Sequence, residues 1–325
     1  MVTGEHGGAR TMRPPTPEGG PAAIQAVPVR HYGRWVGATI VLLLFVWLVS
    51  TAAGSENIRW SEVPTYLFDQ RILEGLVNTI VLSVLAQTIG IVLGVVFAVM
   101  RLSGNPVLSG VSWFYIWIFR GTPVLLQLLL WYNLGLVFST VTIAIPFTDI
   151  TLYSKPINDF MTPLMAALLG LGLNEGAYMA EIVRGGINSI DEGQSEAAHA
   201  LGMTPSQTMR RIVLPQAMRV IIPPTGNEFI SMLKLSSLAS VVQYGEMLRR
   251  AEDIYTRNLL VLELLFTISI WYLIVTTIFS TGQFFVERRF ARGTRRGEML
   301  HPVERLWFWV RSRLRPEAAA GGYGR

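Results

Sequence analysis

Asn174, Glu175 and Tyr178 stand close together in a stretch that is otherwise apolar. On a helix Asn174 and Tyr178 share a face at i, i+4, and Glu175 and Tyr178 are neighbours at i, i+3. An amide, a carboxylate and a phenol so placed could hold an ammonium group or a bridging water. Two readings fit: the inner wall of a path for a polar solute, or a helix–helix hydrogen-bond network. Both need polar groups facing inward. Arg120 poses a similar choice. It opens Arg120-Gly121-Thr122-Pro123, where proline removes a backbone bond and biases the preceding residue away from helix. Its guanidinium could face a solute carboxylate, or it could clamp helices through Glu175 or Glu181. The readiness of arginine for bidentate carboxylate pairs favours the clamp. Glu228 and Lys234 are two further charges in an apolar run. They lie about 240° apart on an ideal helix, so they do not form a simple intrahelical pair.

Other chemistries find no support. The sequence has no cysteine, which removes disulfides, thiol nucleophiles, zinc ribbons and cysteine-ligated iron–sulfur clusters. The four histidines, His6, His31, His199 and His301, form no H-E-x-x-H, so no metal centre is expected. His199 reads as a solvated side chain. There is no G-x4-G-K-[ST], so ATP is not bound through a P-loop. A serine–lysine dyad can be written from Lys234 with Ser231 or Ser237, but no wider motif of an activated nucleophile accompanies it.

The elements that must position these residues are membrane spans. Apolar residues make up 51% of the 325, and charged residues only 15%, against roughly 25% in a soluble domain. The net charge of +5 divides into +2 on residues 1–34, +6 on residues 286–325 and −3 between them. A nucleic-acid-binding domain would carry its basic stripe on the folded body, so the pattern argues against that class. Apolar runs cover residues 35–53, 76–100, 107–138, 163–183, 218–242 and 259–286. A run of about 19 residues at 1.5 Å each matches the roughly 30 Å hydrocarbon core. Ala52-Ala53-Gly54-Ser55 resembles a signal cleavage site, but the run before it is longer than the usual apolar core of about 7–15 residues, which favours a span. Residues 1–33, rich in proline and glycine, read as disordered.

The positive-inside rule orients the spans. With a cytoplasmic N-terminus, one side collects Arg30, Arg34, Arg101, Arg184, Arg210, Arg211, Arg219 and the arginine-rich tail. The opposite loops, 54–75, 139–162 and 245–258, carry −2, −1 and 0. The expected fold is thus an all-α polytopic membrane protein with six transmembrane helices and both termini cytoplasmic. Its segments are a disordered leader at 1–34, a first helix and outer loop at 35–71, a main domain at 72–290 and a basic tail at 291–325. In the tail, Val303, Leu306, Val310 and Leu314 follow helical spacing, as an interfacial helix on anionic lipid would; a disordered tail is the alternative.

The polar loop at 185–217 is the most informative segment. Glu196-Ala197-Ala198 is followed after three residues by Gly202, and after nine more by Ile212-Val213-Leu214-Pro215. The spacing predicts a short helix ended by a left-handed Gly202. Thr204 then caps a second helix, with Pro205 at its first position and Gln207 completing a capping box. That helix runs to about Leu214, and Pro215 begins the turn back to the membrane. Met209, Ile212 and Val213 share an apolar face that needs a partner to cover it.

E-A-A-x3-G-x9-I-x-L-P at 196–215 resembles the coupling-loop signature of ABC-importer permeases. Phe119-Arg120-Gly121-Thr122-Pro123 with Gln127, the run Glu175-Gly176-Ala177-Tyr178-Met179-Ala180-Glu181-Ile182-Val183-Arg184-Gly185-Gly186-Ile187, Pro215-Gln216-Ala217 and Gly226-Asn227-Glu228-Phe229-Ile230 are similar to the polar amino acid permeases. The resemblance covers residues 72–290. It implies a type I importer transmembrane subunit, a five-helix core plus one N-terminal helix, in a bacterial cytoplasmic membrane. It also implies a second permease subunit, identical or sister, a separate ATPase that binds ATP and Mg, and an extracytoplasmic amino-acid-binding protein. This chain would need no cofactor of its own. Glu196, Ala197, Ala198, Gly202, Met203, Arg210 and Arg211 would meet the ATPase. Arg120, Gln127, Asn174, Glu175, Tyr178, Glu228 and Lys234 would be candidates for the substrate path. The family often has a polar or acidic residue after that lysine; here it is Leu235. A proton-coupled secondary transporter, with Glu175 as the relay, is the alternative.

Overall fold

The computed structural model describes residues 32–145 and 151–290. They fall into two units, one ending at Glu56 and the other beginning at Asn57. The first contains α1 (Tyr32–Ala53), an apolar helix with no side chain buried within the chain. Helix therefore begins inside the leader expected to be disordered. The rest of that leader, and the stripe Val303 to Leu314 of the tail, lie outside the described residues.

The second unit runs α2 (Glu62–Leu67), α3 (Gln70–Leu102), α4 (Pro106–Gly121), α5 (Val124–Tyr132), β1 (Thr140–Ala144), β2 (Thr151–Pro156), α6 (Ile157–Phe160), α7 (Pro163–Asn188), α8 (Glu192–Ala200), α9 (Pro205–Thr208), α10 (Leu214–Leu235), α11 (Met247–Asn258) and α12 (Val261–Phe290). Among the described residues, α1, α3 and α12 are each long and apolar enough to cross a membrane, and the bent pair α4–α5 adds a fourth span if taken as one. Helices α7 and α10 have the length but not the composition. Helix α7 carries Asn174, Glu175 and many glycines; α10 carries Arg219, Glu228, Lys234 and two internal prolines. Such helices need protein or water around them, and α7 is indeed largely buried against its neighbours.

Close packing explains glycines on both α7 and α3: a Cβ on Gly172 or Gly176 of α7 would collide with Ile89, or with Tyr115 and Leu93. Gly90 and Gly94 of α3 lie against Glu175 and Met179 of α7, so near that a Cβ on either would collide with those side chains. This is a G-x-x-x-G face that lets two backbones approach. One apolar core joins Leu82, Ala86, Leu128, Leu171, Met232 and Val242 across α3, α5, α7, α10 and the 3₁₀ helix Ser236–Val242 that follows it. A second joins Ile72, Met247, Ile254, Leu264 and Ile268 across α3, α11 and α12.

The structure departs from the expected fold in three places. The 139–162 loop holds an antiparallel hairpin, with Thr140 opposite Pro156 and Thr142 opposite Ser154, so the chain is mostly rather than entirely helical. The alternating β-branched residues of Thr140-Val141-Thr142-Ile143 suit a strand. The other two loops expected on the outer side also contain helix. Glu246, fully buried, caps α11 by accepting the N–H groups of Leu248 and Arg249 at 2.9 and 2.6 Å. Near α2, Glu263 accepts the N–H of Arg59 at 2.8 Å, and Trp271 donates to the Leu67 carbonyl at 2.8 Å. The third departure is at Pro215, where no turn occurs. From α9 the chain passes through one π-helical turn, Met209–Val213, directly into α10. Pro215 stands at the start of α10, immediately after this wide turn, where the regular i to i+4 pattern is already interrupted.

Candidate functional site

The break between α4 and α5 shapes the first site. Arg120-Gly121-Thr122-Pro123 interrupts the third apolar run as expected, and the two helices meet at 101°. A bend of that size strands the last carbonyls of α4. Gln127 takes them over: its Nε2 donates to the Phe119 and Thr122 carbonyls at 3.0 and 3.1 Å, and to Thr122 Oγ1 at 2.8 Å. Asn174 Nδ2 donates to the same Phe119 carbonyl at 2.7 Å, and Tyr115 donates to the Leu173 carbonyl at 2.6 Å. The broken corner is thereby fixed to α7.

A cavity of about 500 Å³ lies where this corner meets α7 and α10. Arg120, Asn174, Glu175, Tyr178 and Glu228 all line it, which brings together five of the seven residues singled out for a path. The other two do not reach it. Gln127 is buried in stapling the break, and the Lys234 side chain is exposed on another face of α10. Ser237 donates to the backbone carbonyl of Lys234 at 2.8 Å, so the two do not form a serine–lysine dyad through that hydroxyl. Glu175 is nearly fully buried and accepts from Gln87 Nε2 at 3.1 Å, so Asn174 and Glu175 form the helix–helix hydrogen-bond network that was one of the two readings. They hold helices together and they face the cavity. Sequence reasoning missed the cavity role of Ser231 and Leu235. The signal was present, since Glu228, Ser231 and Leu235 repeat at i, i+3, i+7 and so mark one face of α10.

Arg120 pairs with Glu181, not Glu175, and only loosely, at 3.9 Å. Arg184 holds Glu181 much more tightly, with Nη2 at 2.6 Å and Nε at 3.2 Å from its two oxygens. The Arg120 guanidinium lies over the Tyr178 ring, 5.1 Å from its centroid, in cation–π geometry.

The second site is the polar loop. Asp191 caps α8 by accepting the Gly193 N–H at 2.8 Å. Gly202 ends the helix at φ +78°. The N–H groups of Gly202 and Met203 reach the carbonyls of His199 and Ala198, the paired bonds of a Schellman turn. The Thr204–Gln207 capping box forms in both directions, at 3.3 and 2.9 Å. Glu196, Ala197, Gly202, Arg210 and Arg211 are exposed and Met203 is half-buried. Ala198 differs from the expected docking set: it is buried, turned toward the segment that follows. Of the expected apolar face, Val213 is buried, Ile212 is half-buried and Met209 is exposed, because the π-helical turn alters the 3.6-residue spacing. The most exposed apolar side chain of the loop is Leu201, at 84%, next to the Gly202 turn. His199 is exposed, as expected, with Nδ1 3.1 Å from the Met203 carbonyl.

Residues 90–292 match the family described as binding-protein-dependent transport system inner membrane component. The chain is 47% identical over 277 residues to the arginine transport system permease protein ArgU of Corynebacterium glutamicum, covering 85% of this chain and 86% of that one. It is 31% identical over 233 residues to the glutamine transport system permease protein GlnP of Escherichia coli, covering 72% and 94%. Among solved structures it is similar to an amino acid ABC transporter crystallised with histidines, at 36% identity and a TM-score of 0.60, over 70% of this chain and 97% of that one.

Proposed function

The chain belongs to the family of binding-protein-dependent transport system inner membrane components, and on that premise we propose that it is the permease subunit of an ATP-driven importer of cationic amino acids. The observation that carries the substrate class is the cavity. Glu175 from α7 and Glu228 from α10 bring two carboxylates to its lining, Tyr178 adds an aromatic face, and Arg120 is available for the α-carboxylate. Such a lining suits a zwitterion with an extra positive charge. The volume lies within the range of about 300–1,000 Å³ typical of small-molecule sites. The arginine permease of C. glutamicum supports the same reading.

In this proposal six helices cross the bacterial inner membrane with both termini in the cytoplasm. The domain at 72–290 forms half of the path, and a second permease subunit forms the other half. An extracytoplasmic binding protein delivers the amino acid. A separate ATPase binds ATP and Mg²⁺ and docks on the exposed surface of Glu196, Ala197, Leu201, Gly202, Met203, Arg210 and Arg211. This chain contributes no cofactor and no catalytic step of its own. The proton-coupled alternative is set aside, since the family's transport depends on a binding protein.

Reconstitution of the complex in liposomes tests the proposal. Arginine uptake is expected to require ATP, the ATPase and the binding protein, and to exceed glutamine uptake. Replacing Glu228 with Gln is expected to cut arginine uptake about tenfold through loss of a charge-assisted contact. Uptake that persists without the ATPase overturns the importer reading, and equal loss of arginine and glutamine uptake in the Gln variant overturns the cationic preference.

A further inference from the structure

Two cavities meet at Arg120. Beside the first lies a second of about 380 Å³, lined by Arg101, Trp113, Trp117 and Glu181. Arg120 and Gly121 line both. Along α7 the first cavity takes Asn174, Glu175 and Tyr178, and the second takes Glu181, one turn further on. Arg101, in the last turn of α3, and Arg184, near the end of α7, mark this as the basic end of the bundle. Under the positive-inside rule the second cavity is therefore on the cytoplasmic side of the first.

Arg120 is weakly held on a rigid support. Its helix end is fixed by the Gln127 and Asn174 amides on the Phe119 carbonyl. Glu181 is engaged by Arg184 through both oxygens, which leaves Arg120 a contact at 3.9 Å, beyond hydrogen-bond reach. What remains is the Tyr178 ring, the longer-range attraction of Glu181 and Glu228, and solvent, with 43% of the Arg120 side chain exposed. A long cationic side chain whose nearest carboxylate is 3.9 Å away, placed between two cavities, is free to change partner.

We propose that Arg120 is the gating residue between the two cavities. With the first cavity empty it lies across Tyr178 toward Glu181 and closes the passage. The carboxylate of an amino acid in the first cavity is a stronger partner than an aromatic face, so the guanidinium leaves Tyr178 for the substrate and the passage opens. Once the amino acid has moved on, the side chain returns to Tyr178. Arg101, held by a hydrogen bond to Ser109 at 2.7 Å, then offers the next cationic site for the departing carboxylate. The proposal rests on the transport reading above and adds a named side chain that divides the path in two.

The test is passive leak of labelled arginine from liposomes carrying the full complex without ATP. Tyr178→Leu removes the ring that holds the gate closed and is expected to leak about fivefold faster than Tyr178→Phe, which keeps the ring face. Arg120→Gln is expected to leak at least as fast as Tyr178→Leu, and Arg120→Lys to fall between Gln and wild type. Each variant is first checked for co-purification with the ATPase and for ATP hydrolysis. Equal leak in the Leu and Phe variants, or wild-type leak in Arg120→Gln, overturns the gate. A wild-type complex that takes up no amino acid with ATP present overturns the transport reading instead.

Discussion

The polar loop and the membrane-depth cavity are built on opposite plans. In the loop every bond that sets the shape is local. Asp191 caps two residues ahead, Gly202 and Met203 bond back three and five residues, and Thr204 and Gln207 cap each other. In the cavity the decisive bonds span the chain: Asn174 to Phe119, Gln87 to Glu175, Tyr115 to Leu173. The loop needs only its own sequence to take its form, and it leaves its outer surface free for another molecule. The cavity exists only once α3, α4, α5, α7 and α10 have assembled. The proposed docking surface can therefore be damaged without damage to the helical body, whereas the cavity and the fold fail together.

Substitutions at increasing distance from the cavity sharpen that contrast. The largest effect is expected from Gly90→Leu, which drives a side chain into Glu175. Overpacking of this kind costs about 3 kcal/mol, so the thermal midpoint and the yield of folded protein in detergent should both fall. Wild-type stability would mean that α3 and α7 can part without loss. Gln127→Ala comes next. Leaving buried acceptors at the α4–α5 corner unpaired costs about 2 kcal/mol, and Gln127→Glu, which cannot donate when ionised, should be no better. Gly202→Asp follows, at about 1–2 kcal/mol for a side chain in a left-handed conformation. Its effect should be confined to the loop: co-purification with the ATPase falls while the thermal midpoint of the transmembrane body stays put. A drop in that midpoint would break the comparison, because the loop would then be part of the fold it is said to stand apart from.

The smallest effect is a pH dependence. The Arg71 guanidinium, 2.8 Å away, holds the Asp69 carboxyl below its usual value while Asp69 caps α3. A carboxyl lowered on folding adds stability above its ordinary pKa of about 3.9, and that stability is lost as the pH falls through the folded value. The thermal midpoint should therefore decline below about pH 4, and less steeply in Asp69→Asn.

The same division decides what the sequence disclosed. The capping box at Thr204 and Gln207 and the left-handed Gly202 were legible because each rule involves residues a few positions apart. The break at Arg120-Gly121-Thr122-Pro123 was legible for the same reason, since proline acts on its immediate neighbours. Its consequences were not. That Gln127 would fold back on the break, and that Arg120 would meet Glu181 and not Glu175, depends on a bend angle set by packing. The π-helical turn at 209–213 was also hidden, because Pro215 in a first turn and Pro215 in a loop leave the same local pattern. The pairing of Thr140–Ala144 with Thr151–Pro156 was hidden as well, because strands of five and six residues carry only a brief alternation.

The uninterrupted helix from Pro205 to Leu235 has a mechanical meaning. About 31 residues at 1.5 Å give a strut of roughly 45 Å, with its foot in the exposed loop and its upper part forming the wall that carries Glu228 and Ser231. No loop separates the two, so a sideways push at the foot becomes a tilt of the wall, by the geometry of a lever. Two places can yield along its length: the wide turn at 209–213 and the Pro223-Pro224 pair, where backbone bonds are missing. Those two points set where the lever pivots, and so how far a given displacement below travels above.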